Sequence, residues 1–148
     1  MSREIGKSKI NGFGFGVAKA VALILIPLGF GTKYYSSIGE TWVRHYAGGV
    51  LYVVFLCSVW RIISPRSKPS VIGMGVLTLT CVVEVSQLWH PAFLGALRSG
   101  IVGGAVLGSE FDWWDFPHYV ASAAAAIFAM RALDRFEAAR EEGLDGIS

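Results

Sequence analysis

Apolar residues fall into four long runs separated by short polar breaks, over 14–31, 46–63, 71–89 and 116–133. A helix needs about 20 apolar residues to cross about 30 Å of hydrocarbon. The pattern therefore predicts an all-α, polytopic membrane protein with four transmembrane helices. Gly12, Gly14 and Gly16 alternate with Phe13 and Phe15 and read as a flexible lead-in to the first helix. A nucleotide-binding glycine loop would need a strand before it and a helix after it. Pro27 interrupts the first run, where neighbouring helices can satisfy the carbonyl it frees. The second run opens on Gly48 and Gly49. Pro65 and Pro69 punctuate a basic turn over 64–70, which makes the second and third helices antiparallel neighbours. Pro91 ends the third run, and Asp115 reads as an N-cap with Pro117 in the first turn of the fourth.

The stretch between the third and fourth runs is less regular. Its apolar part, 101–107, is too short to span a bilayer, while Gly100, Gly104 and Gly108 recur every four residues. On a helix that spacing lines up one small-residue face for close approach of another helix. A short interfacial or re-entrant helix is expected there, with an apolar surface loop as the alternative. The segment 134–148 mixes charge signs and reads as a fraying polar tail.

Composition agrees with these assignments. The 148 residues are 53% hydrophobic with mean hydropathy +0.52, which suits one membrane domain over 1–148. The net charge of +2 comes without a long basic run, so no nucleic-acid partner is expected. Lys and Arg fix the orientation, because short basic loops stay on the cytoplasmic side. Arg3, Lys7, Lys9, Lys19, Arg61, Arg66, Lys68, Arg131, Arg135 and Arg140 fall on one side, and Lys33, Arg44 and Arg98 on the other. Both termini are thus predicted in the cytoplasm of a bacterial inner membrane. Trp42, Trp89, Trp113 and Trp114 fall at the outer boundary and Trp60 at the inner one, as indoles favour. The first run reads as a retained anchor, since no small-residue cleavage site follows it. Cys57 and Cys81, each inside an apolar run, read as small packed hydrophobes.

The candidate chemistry starts from Glu84 and Gln87 in the third run. A charged side chain at membrane depth costs on the order of 3 kcal/mol even on lenient insertion scales, so it faces protein or a wet cavity. Gly73, Leu77, Thr80, Glu84 and Gln87 recur at spacings of three and four and form one helical stripe. Arg44 and Arg98 are the outer cations available as counter-charge, with His45, His90 and His118 nearby. Glu110, Asp112 and Asp115 form an acidic cluster whose spacing follows no metal loop. No pattern calls for a metal or cofactor, and no Ser or Cys stands in a nucleophile motif.

In order along the chain, Arg44-His45-Tyr46-Ala47-Gly48, Glu84-Val85-Ser86-Gln87-Leu88, Ala96-Leu97-Arg98, and Leu107-Gly108 through Phe111, Trp114, Asp115 and Tyr119 resemble the bacterial membrane family known as domain of unknown function 2809. They are more distantly similar to VanZ, which shares a Glu-x-x-Gln followed by Arg and then Asp. The resemblance implies a multi-pass protein whose conspicuous residues are Tyr46, Glu84, Gln87, Arg98 and Asp115. Where the family usually carries Asp and Trp on the second helix, this chain has Gly49 and Tyr52. VanZ proteins are associated with resistance to lipid-bearing glycopeptide antibiotics, which implies a cell-envelope or lipid role. Three readings follow. In the preferred one, those five residues bind a lipid headgroup or envelope precursor at the outer face, with the Arg98 fork on an anionic group. In the second, Glu84 is a general acid or base acting on a lipid-linked substrate, helped by His90 or His118. In the third, the Gly100, Gly104, Gly108 face docks the chain into a homo- or hetero-oligomer.

Overall fold

The computed structural model describes residues 2–89, 95–97, 99–100, 103 and 111–145. All regular structure among them is helical. Helix α1 is Ser2–Thr32 and runs unbroken through Pro27. The glycines at 12, 14 and 16 lie inside it, so the expected flexible lead-in is instead helix. Helix α2, Glu40–Ile63, starts upstream of the predicted boundary at 46. It opens with one α-turn, Glu40–Trp42, continues through a π-helical turn, Val43–Ala47, and becomes regular over Gly48–Ile63. Helix α3 is Pro69–Ser86, with Gln87 and Leu88 in the turn that follows. Helix α4 is Asp115–Asp145. Asp115 is its first residue rather than its cap, and the Asp115 N–H donates to the Asp112 carbonyl at 3.1 Å.

Local chemistry sets these boundaries. Ser64 leaves the helical region ahead of Pro65, as the residue before a proline is pushed to do. Lys68 is extended and Pro69 occupies the first turn of α3, where its missing N–H costs nothing. The Arg61 guanidinium holds the turn together by donating to the Ser67 carbonyl at 3.1 Å.

Helices α2, α3 and α4 share one core. Val53 and Cys57 from α2, Ile72 and Val76 from α3, and Tyr119, Ala123 and Ala126 from α4 form one buried cluster. Both cysteines are free thiols. Glycine lets the helices approach closely. A Cβ on Gly73 would lie 2.3 Å from Ile127 Cγ1, and one on Gly75 would lie 2.6 Å from the Trp60 ring. Helix α1 packs mainly on α2 and leaves large side chains outward, with Leu23 70% exposed. Such a surface suits lipid, which is as apolar as the side chains themselves.

Among the described residues three helices are long and apolar enough to cross a membrane: Phe13–Thr32, Glu40–Ile63 and Pro69–Ser86. The predicted fourth span lies in α4, where Pro117, His118 and Ser122 dilute an Ala-rich run. The polar tail is helical as far as its described residues run. Helix α4 continues to Asp145, Asp134 pairs with Arg61, and Glu137 is buried with its carboxylate accepting the Gly14 N–H. These contacts tie 134–137 to α1 and α2, which overrides a weak local pattern. The predicted short helix at 101–108 lies outside the described residues apart from Gly103, as do Gly104 and Gly108.

Candidate functional site

The stripe on α3 turns toward α4. Gly73 sits against Ile127, Leu77 packs at the edge of the core, and Thr80, Glu84 and Gln87 are buried. Among the described residues the Thr80 hydroxyl bonds within its own helix, to the carbonyls of Val76 and Leu77. Glu84 behaves differently. It is 1% exposed, and each of its bonds reaches another segment or the end of the helix. Oε1 accepts the Asp112 backbone N–H at 3.0 Å. Oε2 accepts the Tyr119 hydroxyl at 3.0 Å and Gln87 Nε2 at 3.1 Å. All three partners donate, which suits a carboxylate because an ionised one can only accept. One side chain thus joins α3, the strap ahead of α4, and α4 itself.

Tyr119 reaches Glu84 because of Gly49. A Cβ at position 49 would stand 3.0 Å from Tyr119 Cε1, so the bare backbone of α2 makes room for the ring. Position 49 therefore serves to seat an aromatic from α4. The Tyr119 hydroxyl stands between the carboxylates of Glu84 and Asp115, and its one proton goes to Glu84. Burial first, and then the nearby charges of Glu84 and Asp112, push the Asp115 carboxyl up to about 6.

Asp112 is the hinge of a second layer. Its Oδ1 accepts the Trp114 N–H at 3.0 Å, and Oδ2 accepts the Tyr46 hydroxyl at 3.2 Å. Tyr46 comes from the π-helical turn and stacks on His118, with ring centroids 4.6 Å apart and planes within 4°. The imidazole has a fixed tautomer. Its Nδ1 meets the Trp114 carbonyl at 2.6 Å, which can only accept, and its Nε2 meets the Trp42 indole N–H at 3.1 Å, which can only donate. These two contacts fit the Nδ1–H tautomer. A π-turn widens the helix by one residue, and here it carries both Trp42, just ahead of it, and Tyr46 to α4.

Of the five residues singled out in the sequence, Tyr46, Glu84, Gln87 and Asp115 come together in this junction. Arg98 and His90 lie outside the described residues, and with them the expected Arg98 counter-charge. Arg44 is not the counter-charge of Glu84: it pairs with Glu40, four residues earlier, at 2.8 Å, and both are half exposed. Among the described residues neither ion pair involves Glu84. The glutamine leaves one atom unsatisfied. Gln87 is 5% exposed and its Oε1 has no hydrogen-bond partner among the described residues. Turning the amide over would set its oxygen against the Glu84 carboxylate, so the neighbour fixes its orientation. A buried acceptor without a donor costs about 1–3 kcal/mol.

Sequence reasoning missed Asp112 and Tyr119 as working members of the site. Tyr119 had a legible signal, since Asp115 and Tyr119 are four apart and share a helix face. Asp112 was legible only as part of an acidic cluster, because the N–H it offers Glu84 and the Tyr46 hydroxyl its carboxylate accepts are set by packing. Among the described residues no cluster of His, Cys, Asp and Glu has the arrangement of a metal site.

Apolar helices long enough to cross a bilayer, joined around a buried carboxylate, define the class: an all-helical protein built for a membrane, with a polar site inside its helix bundle. Residues 38–123 match the family described as Protein of unknown function (DUF2809). The match covers more than half of the chain and every site residue named above, and the chain belongs to that family. No solved structure matches it.

Proposed function

We propose that this chain is a multi-pass protein of the bacterial cytoplasmic membrane that binds a lipid headgroup or cell-envelope precursor at an outer-face site of Tyr46, Glu84, Gln87, Arg98 and Asp115. The observation that carries the reading is the Glu84 carboxylate. It is fully buried, held by donors from the end of its own helix, the strap and α4, and free of any ion pair among the described residues. A charge so placed is costly, and rigid donors hold it ready for a ligand. Four spans with both termini inside fit the placement of Lys and Arg. The fourth is the Ala-rich part of α4, since Tyr119, Ala123 and Ala126 lie in the same core as α2 and α3. The likeness to VanZ supports an envelope role.

A second reading makes Glu84 a structural tie with no ligand, and the same three donors favour it. Native mass spectrometry of the purified protein, joined to complementation of a deletion strain, separates the two. Glu84→Gln sets an NH2 group against donors and costs some stability, so lipid retention is read on the folded fraction. The binding reading expects Glu84→Gln to lose the co-purifying lipid and fail to complement, while Thr80→Val keeps both. Full complementation by Glu84→Gln would leave the carboxylate a structural tie.

A further inference from the structure

The loop that joins α1 to α2 brings Lys33, Arg44 and His45 to one end of the bundle. Lys33 follows Thr32, the last residue of α1, and Arg44 and His45 lie on the π-helical turn of α2. With Glu40 and Thr41 they line an open pocket of about 400 Å³, within the roughly 300–1,000 Å³ of small-ligand sites. Two cations against one carboxylate leave the lining net positive with His45 neutral. Glu40 engages Arg44 through Nη1 alone, and a guanidinium carries five N–H donors. Its remaining donors, the Lys33 ammonium and the Thr41 hydroxyl make a set suited to phosphate, which takes a point charge from Lys and a planar fork from Arg. The pocket shares no residue with the Glu84 junction.

Its position selects the kind of phosphate. Lys33 stands one residue beyond the span Phe13–Thr32, and Glu40 opens the span Glu40–Ile63. The pocket therefore sits where hydrocarbon gives way to headgroups, at the end of α2 opposite the basic turn 64–70. Around it the loop turns out Tyr34, 86% exposed, and Ile38, 95% exposed, with Trp42 half exposed. Aromatic rings favour the interface, and an isoleucine gains by leaving water for lipid. A free anion would meet a small net charge that salt screens. A lipid phosphate is held at this depth by its own acyl chains and binds at a high effective concentration.

We propose that this pocket binds the phosphate of an anionic phospholipid, with Lys33 and Arg44 as its cationic contacts and Thr41 as a hydroxyl donor. The assignment rests on the membrane placement proposed above and not on the Glu84 site.

The full chain in detergent is titrated with phosphatidylglycerol and with phosphatidylcholine of the same acyl chains, and the first bound lipid is read by native mass spectrometry. Phosphatidylglycerol is expected to bind more tightly. Lys33→Gln and Arg44→Gln should each weaken it by about fivefold, the effect of one basic residue at an anionic membrane surface. Glu40→Gln removes the competing carboxylate and should tighten it by a similar factor, a gain that failed folding cannot produce. Arg66→Gln with Lys68→Gln takes the same charge from the opposite turn and should cost less than Lys33→Gln with Arg44→Gln. An equal loss in the two pairs means that net charge alone attracts the lipid, and it overturns the pocket. Equal affinity for the two lipids, or no gain in Glu40→Gln, does the same. Glycerol phosphate separates the sources: competition shows that the phosphate ester itself is read, and its failure beside intact lipid binding shows that the acyl chains are needed. A preference that survives Lys33→Gln with Arg44→Gln but falls in Glu84→Gln overturns the pocket and leaves the headgroup reading standing. The reverse pattern keeps the pocket and removes the lipid from Glu84.

Discussion

Tyr119→Phe removes one oxygen from the centre of the site and little else. The ring remains and keeps its contact with the Gly49 backbone, so no cavity opens. What is lost is a 3.0 Å bond to the Glu84 carboxylate, with Tyr119 8% and Glu84 1% exposed. Two magnitudes bracket the cost. Hydrogen bonds between transmembrane helices average about 0.6 kcal/mol and reach about 1.7, while bonds to charged groups in proteins contribute about 1.5–3 kcal/mol. Glu84 keeps Gln87 Nε2 and the Asp112 N–H, so its charge is not stranded and the top of the second range does not apply. The acceptor is a carboxylate and the bond is dry, so the membrane average is too low. The expected loss is about 1–2 kcal/mol in SDS-driven unfolding from mixed micelles. A double-mutant cycle with Glu84→Gln should return a coupling of about 1 kcal/mol, because the two groups touch. A Tyr119→Phe cost near zero, or strict additivity in the cycle, would refute the idea that this bond joins α3 to α4.

Three further outcomes follow from the same geometry. Asp115 has its carboxyl raised to about 6 in the folded protein from an ordinary 3.8, so between those values the native state holds a proton that the unfolded chain does not. Its contribution to stability is fully present below about 4 and is lost as pH rises through 6; thermal unfolding at pH 5 and pH 7 should show a smaller difference in Asp115→Asn than in wild type. Gly73→Ala places a methyl 2.3 Å from Ile127 Cγ1 and 3.5 Å from the Ala123 carbonyl; it should cost about 1–3 kcal/mol as overpacking does, and Ile127→Ala in the same chain should restore much of it. Cysteine labelling at Ser67 and Ser109 should report opposite sides of the membrane, Ser67 facing the cytoplasm, and labelling of both from one side would defeat the proposed orientation.

The hydrophobic pattern alone determined that the chain is all-helical, roughly where its apolar helices run, and that Glu84 stands out. Those properties are local or nearly so: a long apolar run can satisfy its backbone in lipid only as a helix, and a carboxylate within it is conspicuous wherever the helix packs. Local pattern was a weaker guide at helix ends. Helix α2 reaches back to Glu40 and α4 on to Asp145 because Trp42 bonds His118, Asp134 pairs with Arg61 and Glu137 meets Gly14, contacts between residues distant in sequence. Tertiary structure also decided what surrounds Glu84. An acidic run before a helix says nothing of which N–H it will offer, and a glycine on one helix does not announce the tyrosine of another that needs its space. The Asp112 backbone, Tyr119 over Gly49 and the unanswered oxygen of Gln87 exist only once α2, α3 and α4 are packed, because hydrogen bonds and steric room are properties of atoms in contact, and sequence order does not specify them.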